Sequence, residues 1–568
     1  MRGTRMLRAA VIGVIALALA ACSGLPTAGP VGVGLRVDDI DPGIEGTFLA
    51  SGPALGADPA EIVTGFIDAG MSPVGNWAIA RQFLSPELAA SWRPEAAVTI
   101  DRSYLDRSIS YEVESSERVA TATLTLSPVA SVDATGVYSE EAPDARSGAP
   151  FELARDEDGE WRITSALDGI VLDQELFGLV FRKQSLQYFD PAWQHLVPDP
   201  RWFPRRETLV TNITQALIAG DPSEWLDGSV RSAFPLDVLL AVDAVPVGAD
   251  DHVAEVALTP SALTLDETTL GRMRIQLERS LSSTGVRSVR FTVDGNELVA
   301  ERAEVVSNRI DSATYVLTDT GFGAVVGDEI APLAGVSTAI GNITAPIAAI
   351  DVSGDTESAA VQLASGAVLR VSGGLVDSLD PRPGLVAPTM DAQSFTWTVP
   401  RGAPGELVAW SPDGVAHPIA AAWPEATAIS QVRIAPDGVR IAAVVTVDGR
   451  EWAALAGIVR DAAGVPTALG PVELINRLPG AAAGLAWLGD DTLGLLSGDG
   501  EAQLLLELTI GGPGSRSPVP SDTVAIAGAN TVAGARLLSS AGVVSTKRGT
   551  SWQETVLDVR VLATQSGK

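Results

Sequence analysis

From about residue 305 to the end, the sequence is cut every few residues by Gly, Pro and Asp into short apolar runs, and helical periodicity all but disappears. One phrase keeps returning. Residues 350–355 read Ile-Asp-Val-Ser-Gly-Asp, 432–438 Val-Arg-Ile-Ala-Pro-Asp-Gly and 485–491 Leu-Ala-Trp-Leu-Gly-Asp-Asp, with a weaker copy at 389–394. Each precedes a run of small apolar residues, a turn and another run. The anchors Val352, Met390, Ile434 and Trp487 lie 38, 44 and 53 residues apart, near the length of a four-stranded propeller blade. A lone blade leaves both faces of its sheet open to water, and a ring of blades closes them. The final 260 or so residues are long enough for about six. A pair of packed β-sheets is the alternative.

The other end of the chain sets its location. An apolar run from Ala9 to Ala21 follows Arg2, Arg5 and Arg8. It falls short of the roughly 20 residues a bilayer-spanning helix needs, and it ends in small residues like a cleavage site. Leu19, Ala20, Ala21 and Cys22 resemble a bacterial lipobox, and Cys22 is the only cysteine of the 568 residues. The resemblance implies cleavage before Cys22 and acylation of its sulfur. Two or three acyl chains anchor a protein stably where one does so marginally. An ordinary secretory signal with an incidental cysteine is the alternative. Residues 22–57, rich in Gly, Pro and Ala, read as a linker to the first domain.

Losing three arginines with residues 1–21 takes the formal charge from -31 to -34. So acidic a body argues against nucleic-acid binding and against direct docking on anionic lipid. With 46% apolar residues there is ample material for several cores, and without a second cysteine no intramolecular disulfide contributes.

Asp58, Pro59 and Glu61 make a capping box, so a helix should follow, with Ile62, Val63, Phe66 and Ile67 on its inner face. A second helix is expected from Asn76, carrying Trp77, Ala80, Phe83 and Leu84, and Ser85-Pro86 starts a further turn. The period then changes to two, through Ile109 to Val113, Ala120 to Leu126, Phe151 to Leu153 and Trp161 to Ile163, predicting half-buried antiparallel strands. Helices followed by a curved sheet resemble the nuclear transport factor-like or cystatin-like α+β cone. Of the acids that such a cone could use, Asp101, Asp106 and Glu112 read as solvated surface groups. The acidic turn 156–159 reads as a hairpin and not as a calcium loop.

A second unit begins near residue 179. The run Arg201, Trp202, Phe203, Pro204, Arg205, Arg206 is either a partner-binding patch or packing at a domain junction. It leads into a helix over 207–219, stopped by Gly220-Asp221-Pro222. Strands are expected at 236–242 and 253–258, then a helix through Leu270, Met273, Ile275, Leu277 and Leu281, and a strand at 286–293 turning at Asp294-Gly295. Residues 217–226, Phe234, Pro235, Val256, Leu258, Gln276 and 291–295 resemble the sporulation and germination domain GerMN. That implies an envelope-associated binding module.

His195, His252 and His417 lack metal-ligand or triad spacing, and no phosphate-binding Gly-rich loop or Gly-x-Ser-x-Gly elbow occurs. Asp437, Asp490, Asp491 and Asp499 read as turn residues, with a cation in the ring as the alternative. No metal, cofactor or catalytic residue is expected. Taken in order, the chain reads as a signal peptide at 1–21, a linker at 22–57, an α+β domain at 58–178, a GerMN-like domain at 179–304 and a propeller at 305–568. That order resembles the actinobacterial LpqB lipoprotein family. The resemblance implies a non-enzymatic lipoprotein on the extracytoplasmic face of the cell membrane. Its expected partner is the extracytoplasmic domain of an MtrB-like sensor histidine kinase, with effects on envelope homeostasis and cell division. An envelope ligand sensor and a cell-wall-active propeller enzyme are the rival readings.

Overall fold

The computed structural model describes residues 50–142, 144–498 and 503–568. Leu19, Ala20, Ala21, Cys22 and most of the linker, as well as Asp499, lie outside the described residues. Among the described residues no helix is long and apolar enough to cross a membrane.

The capping box forms as the sequence requires. Glu61 N donates to Asp58 Oδ1 at 2.9 Å and Asp58 N to Glu61 Oε2 at 2.8 Å. Helix Pro59–Ala69 buries Ile62, Val63, Phe66 and Ile67. The helix expected from Asn76 does not form, and only a 3-10 turn, Ala80–Phe83, follows. Asn76 and Trp77 take left-handed φ angles of 57° and 55°. This turns the fully buried Trp77 ring inward, where its Nε1 donates to Gly70 O at 2.8 Å. A buried indole needs such an acceptor, and the need outweighs helical spacing. The strands make two four-stranded sheets instead of one. The chain crosses between them after Val119–Leu126, where Pro128, which has no N–H to continue a ladder, opens Pro128–Asp133. The edge strand Ser108–Val113 is more exposed than its alternation suggests, with Tyr111 and Val113 each 42% exposed.

The second domain begins with a long hairpin, Phe181–Phe189 against Leu196–Pro204. Helix Leu209–Ala219 ends at Gly220, whose φ of 80° suits the left-handed cap. Helix Glu267–Ser280 joins the parallel strands Val253–Ala257 and Ser288–Val293, as a parallel pair demands. The strand expected at 236–242 is reduced to one bridge, Leu240 with Leu258. Pro235 and Pro246 bracket that segment, and neither can donate to a ladder.

The remainder is a ring of six four-stranded blades. Val352, Met390, Ile434 and Trp487 each end the innermost strand of a successive blade, so the repeating phrase marks the turn from first strand to second. The ring closes where Val559–Leu562, near the C-terminus, pairs with Tyr315–Thr318 at its start. The chain then lays Thr564–Gln565 along Ile347–Val352. Gly567 lies so close to Pro436 that a Cβ there would strike its carbonyl oxygen.

Candidate functional site

The residues singled out at 201–206 converge on the place where the three domains meet. Arg201, 4% exposed, donates from Nη2 to Asp199 Oδ2 at 2.8 Å and from Nη1 to Thr135 O of the first domain at 3.0 Å. Asp199 is fully buried and also accepts from Ser223 N at 2.8 Å and Ser223 Oγ at 2.6 Å. Trp202 packs against Phe177 at a tilt of 49°, with centroids 4.4 Å apart, and its Nε1 donates to Gly511 O of the fifth blade at 2.7 Å. Phe203 is buried in the second domain's core. Arg205 Nε reaches Gly178 O at 3.2 Å, and Arg206 pairs with Glu95 at 2.6 Å while lying over the Trp77 ring. The run is therefore not a surface patch open to a partner. Its charges are spent on internal acceptors, because a guanidinium leaves water only where its donors find oxygens.

Several junction residues escaped the sequence reading. Val197, Trp225 and Leu226 of the second domain share one apolar cluster with Val439, Leu455 and Leu493 of the fourth and fifth blades. Close approach there needs Gly457, where a Cβ would sit 3.0 Å from Trp225 O and clash with Ser229 Oγ. Lys183 Nζ pairs with Asp491 of the fifth blade at 2.6 Å. Strand Glu473–Arg477 is an additional strand on the fourth blade, paired to the same strand as Pro466–Leu469. Asn476 Nδ2 on it donates to Glu140 Oε2 of the first domain at 2.9 Å. Burial, with the charges of Asp199 and Glu224, pushes the Glu473 carboxyl up to about 7. Burial pushes Glu140 up as well, against the hydrogen bond from Asn476. Only the Gly-Asp-Pro at 220–222 hinted that a loop here had a fixed shape.

Of the acids weighed in the first domain, Asp101 is no solvated group. It is fully buried, paired with Arg107 Nε at 2.9 Å, and accepts from Ser127 N at 2.9 Å. Asp106 ends a 3-10 turn and Glu112 is exposed on the edge strand. The histidines stand in separate settings. His195 Nδ1 is 3.0 Å from Asn308 Oδ1, His252 occupies a turn at φ 54°, and His417 lies edge-on to Phe395. Among the described residues no group of three or more His, Cys, Asp or Glu is arranged to hold a metal ion. Asp437 does turn work, accepting from Val439 N at 2.9 Å and Arg440 Nε at 2.7 Å. Asp490 is held up chiefly by burial. A polar cleft of about 120 Å³ beside Arg274, Arg290 and Glu297, and one of about 10 Å³ under Asp311, are both far smaller than a typical ligand pocket.

Comparison with known proteins matches each domain to a family. Residues 52–178 match the family described as Lipoprotein LpqB, N-terminal domain, 186–299 the sporulation and spore germination domain, and 321–561 the Lipoprotein LpqB beta-propeller domain. A protein named Lipoprotein LpqB from Streptomyces coelicolor is 28% identical over 540 residues, covering 87% of this chain and 86% of its own. One of the same name from Streptomyces avermitilis is 26% identical over 603 residues, covering 96% of each. Among solved structures, a nidogen/laminin complex matches 44% of this chain and 97% of its own at 8% identity with a TM-score of 0.31, too low to carry an argument.

Proposed function

Because this chain belongs to the actinobacterial LpqB lipoprotein family, we propose that it is a non-enzymatic lipoprotein, anchored through Cys22 on the extracytoplasmic face of the cell membrane, that binds and modulates an MtrB-like sensor histidine kinase. The observation that supports this best is the junction itself. The buried Asp199–Arg201 pair ties the second domain to Thr135 of the first, and an apolar cluster around Trp225 ties it to the propeller, so whatever one domain binds is held in a fixed geometry relative to the other two. That is what a scaffold for a partner protein requires, while the relatives' names support the lipoprotein part of the reading. Anchoring both partners in one membrane raises their effective concentration, so a weak interface suffices. The test is in-cell crosslinking of the lipidated protein followed by mass spectrometry of what is recovered. Recovery of a sensor kinase is expected. Recovery of wall glycan or peptide fragments without any kinase would sink the proposal.

A further inference from the structure

Residues 235–247 cover one side of the second domain's core, and apart from Asp237 and Asp243 the side chains they leave exposed are apolar. Val238 and Val245 are buried, whereas Leu236, Leu239 and Val242 are 86%, 52% and 58% exposed. The turn Pro260–Thr264 lies against this strip. Thr259 N donates to Leu239 O at 2.9 Å and Ser261 Oγ to Asp237 O at 2.7 Å. Ala262 of that turn is buried and Leu263 is 62% exposed. Four exposed aliphatic side chains thus lie on two adjoining segments, together exposing on the order of 500 Å², at the upper end of what monomeric proteins leave in water. Neither neighbouring domain covers it, since these exposures are those of the assembled body.

The border of the patch is acidic. Asp237 and Asp243 alternate with its leucines and valine, and Asp250 and Asp251 follow on the next turn. From residue 232 to 271 there are seven acids and no Lys or Arg. The nearby Arg290, on strand Ser288–Val293, is engaged by Glu255 at 3.1 Å. Net acidity keeps such a patch from docking on anionic lipid.

We propose that this strip and turn form a protein-docking surface, and that its partner presents apolar side chains bordered by Lys and Arg. The apolar centre supplies the desolvated contact, and the acidic border steers a basic partner and rejects acidic ones. The inference rests on the binding reading above, but it concerns which surface binds, whoever the partner is.

The test has two parts. In cells, a photo-crosslinking residue replaces Leu236 or Leu263 in the full lipidated chain, with Leu375 on the second blade, whose exposure falls between theirs, as control. In solution, the mature chain is titrated with the purified extracytoplasmic domain of its cognate sensor kinase. The variants are Leu236→Ser/Leu239→Ser/Val242→Ser/Leu263→Ser and the charge swap Asp237→Lys/Asp243→Lys. Binding about 10-fold weaker or worse in the first is expected, with an on-rate drop in the second that shrinks as salt is added. All the altered side chains point outward, so melting should be unchanged. If the serine variant does melt early, the charge swap alone decides. Crosslinks from 236 and 263 to a basic-apolar segment of the kinase support both readings. Crosslinks to such a segment of a different protein support this surface and overturn the kinase as partner. Kinase binding untouched by either variant overturns this surface and leaves the kinase reading standing. Crosslinks to lipid alone, or none above the Leu375 control, also overturn it.

Discussion

Glu473 makes the junction between the second domain and the propeller sensitive to pH. Its carboxyl has no ion-pair or hydrogen-bond partner among the described residues, and burial beside Asp199 and Glu224 raises it from 4.5 to about 7. Below pH 4.5 the group is protonated folded or unfolded, and its contribution is then fully present. Between 4.5 and 7 the unfolded or undocked state gives up its proton first, so docking weakens as pH rises, and above 7 the loss is complete. A shift of this size sets a ceiling of about 3 kcal/mol. Partial solvent access at the strand edge cuts that to roughly 1–2 kcal/mol, or 5- to 30-fold in an opening equilibrium. The amides of Leu226, Asp227 and Ser229, which hydrogen-bond within the docked loop, report that opening. Because about two-fifths of the loss has already occurred by pH 5.5, their hydrogen-exchange protection, corrected for intrinsic rate, should be about 3- to 8-fold higher at pH 5.5 than at pH 8. Glu473→Gln should abolish most of the difference and leave the protection near its acidic level. An identical pH dependence in the variant, or better protection at pH 8, would refute the reasoning.

Other perturbations probe the same architecture. Trp225→Ala removes a ring packed between second domain and propeller, and it should cost about 3–5 kcal/mol, read as early exposure of 223–229 to a protease. Asp199→Ala leaves the buried Arg201 guanidinium with carbonyl acceptors but no counter-charge, and the Ser223 N–H without its acceptor. A loss of about 3–5 kcal/mol is expected by chemical denaturation, and a loss below 1 would mean that the site rehydrates. Deleting 564–568 takes Thr564 Oγ1 from the buried Asp351, which it meets at 2.5 Å. The propeller should lose about 1–3 kcal/mol and the rest of the chain little, which calorimetry can separate. Cys22→Ala should shift the protein from membrane to soluble export fractions, and unchanged detergent partitioning would defeat the lipid anchor.

What could be read from the sequence was what local chemistry decides. The Asp58–Glu61 box needs only four consecutive residues, so the first helix starts where expected. The propeller phrases were legible because one turn recurs in blade after blade. At Trp77 the same reasoning failed, since helical spacing cannot reveal that an indole will turn back to Gly70 O. The strip at 236–242 looked like a strand because its apolar residues were counted without asking which of them faced inward. Two prolines and three outward side chains, Leu236, Leu239 and Val242, decide otherwise. The junction was hidden for a different reason. Arg201 meets Thr135, Trp202 meets Gly511, and Asn476 meets Glu140, partners 66, 309 and 336 positions away. No period or motif connects such pairs. The Arg-Trp-Phe-Pro-Arg-Arg run stood out because so many large donors in one stretch must find acceptors somewhere, and a sequence cannot say whether those acceptors belong to a partner or to the chain itself. Here they belong to the chain. A surface meant for a partner should carry the opposite mark, outward side chains that no part of the body satisfies, and the leucines of the acidic strip carry it.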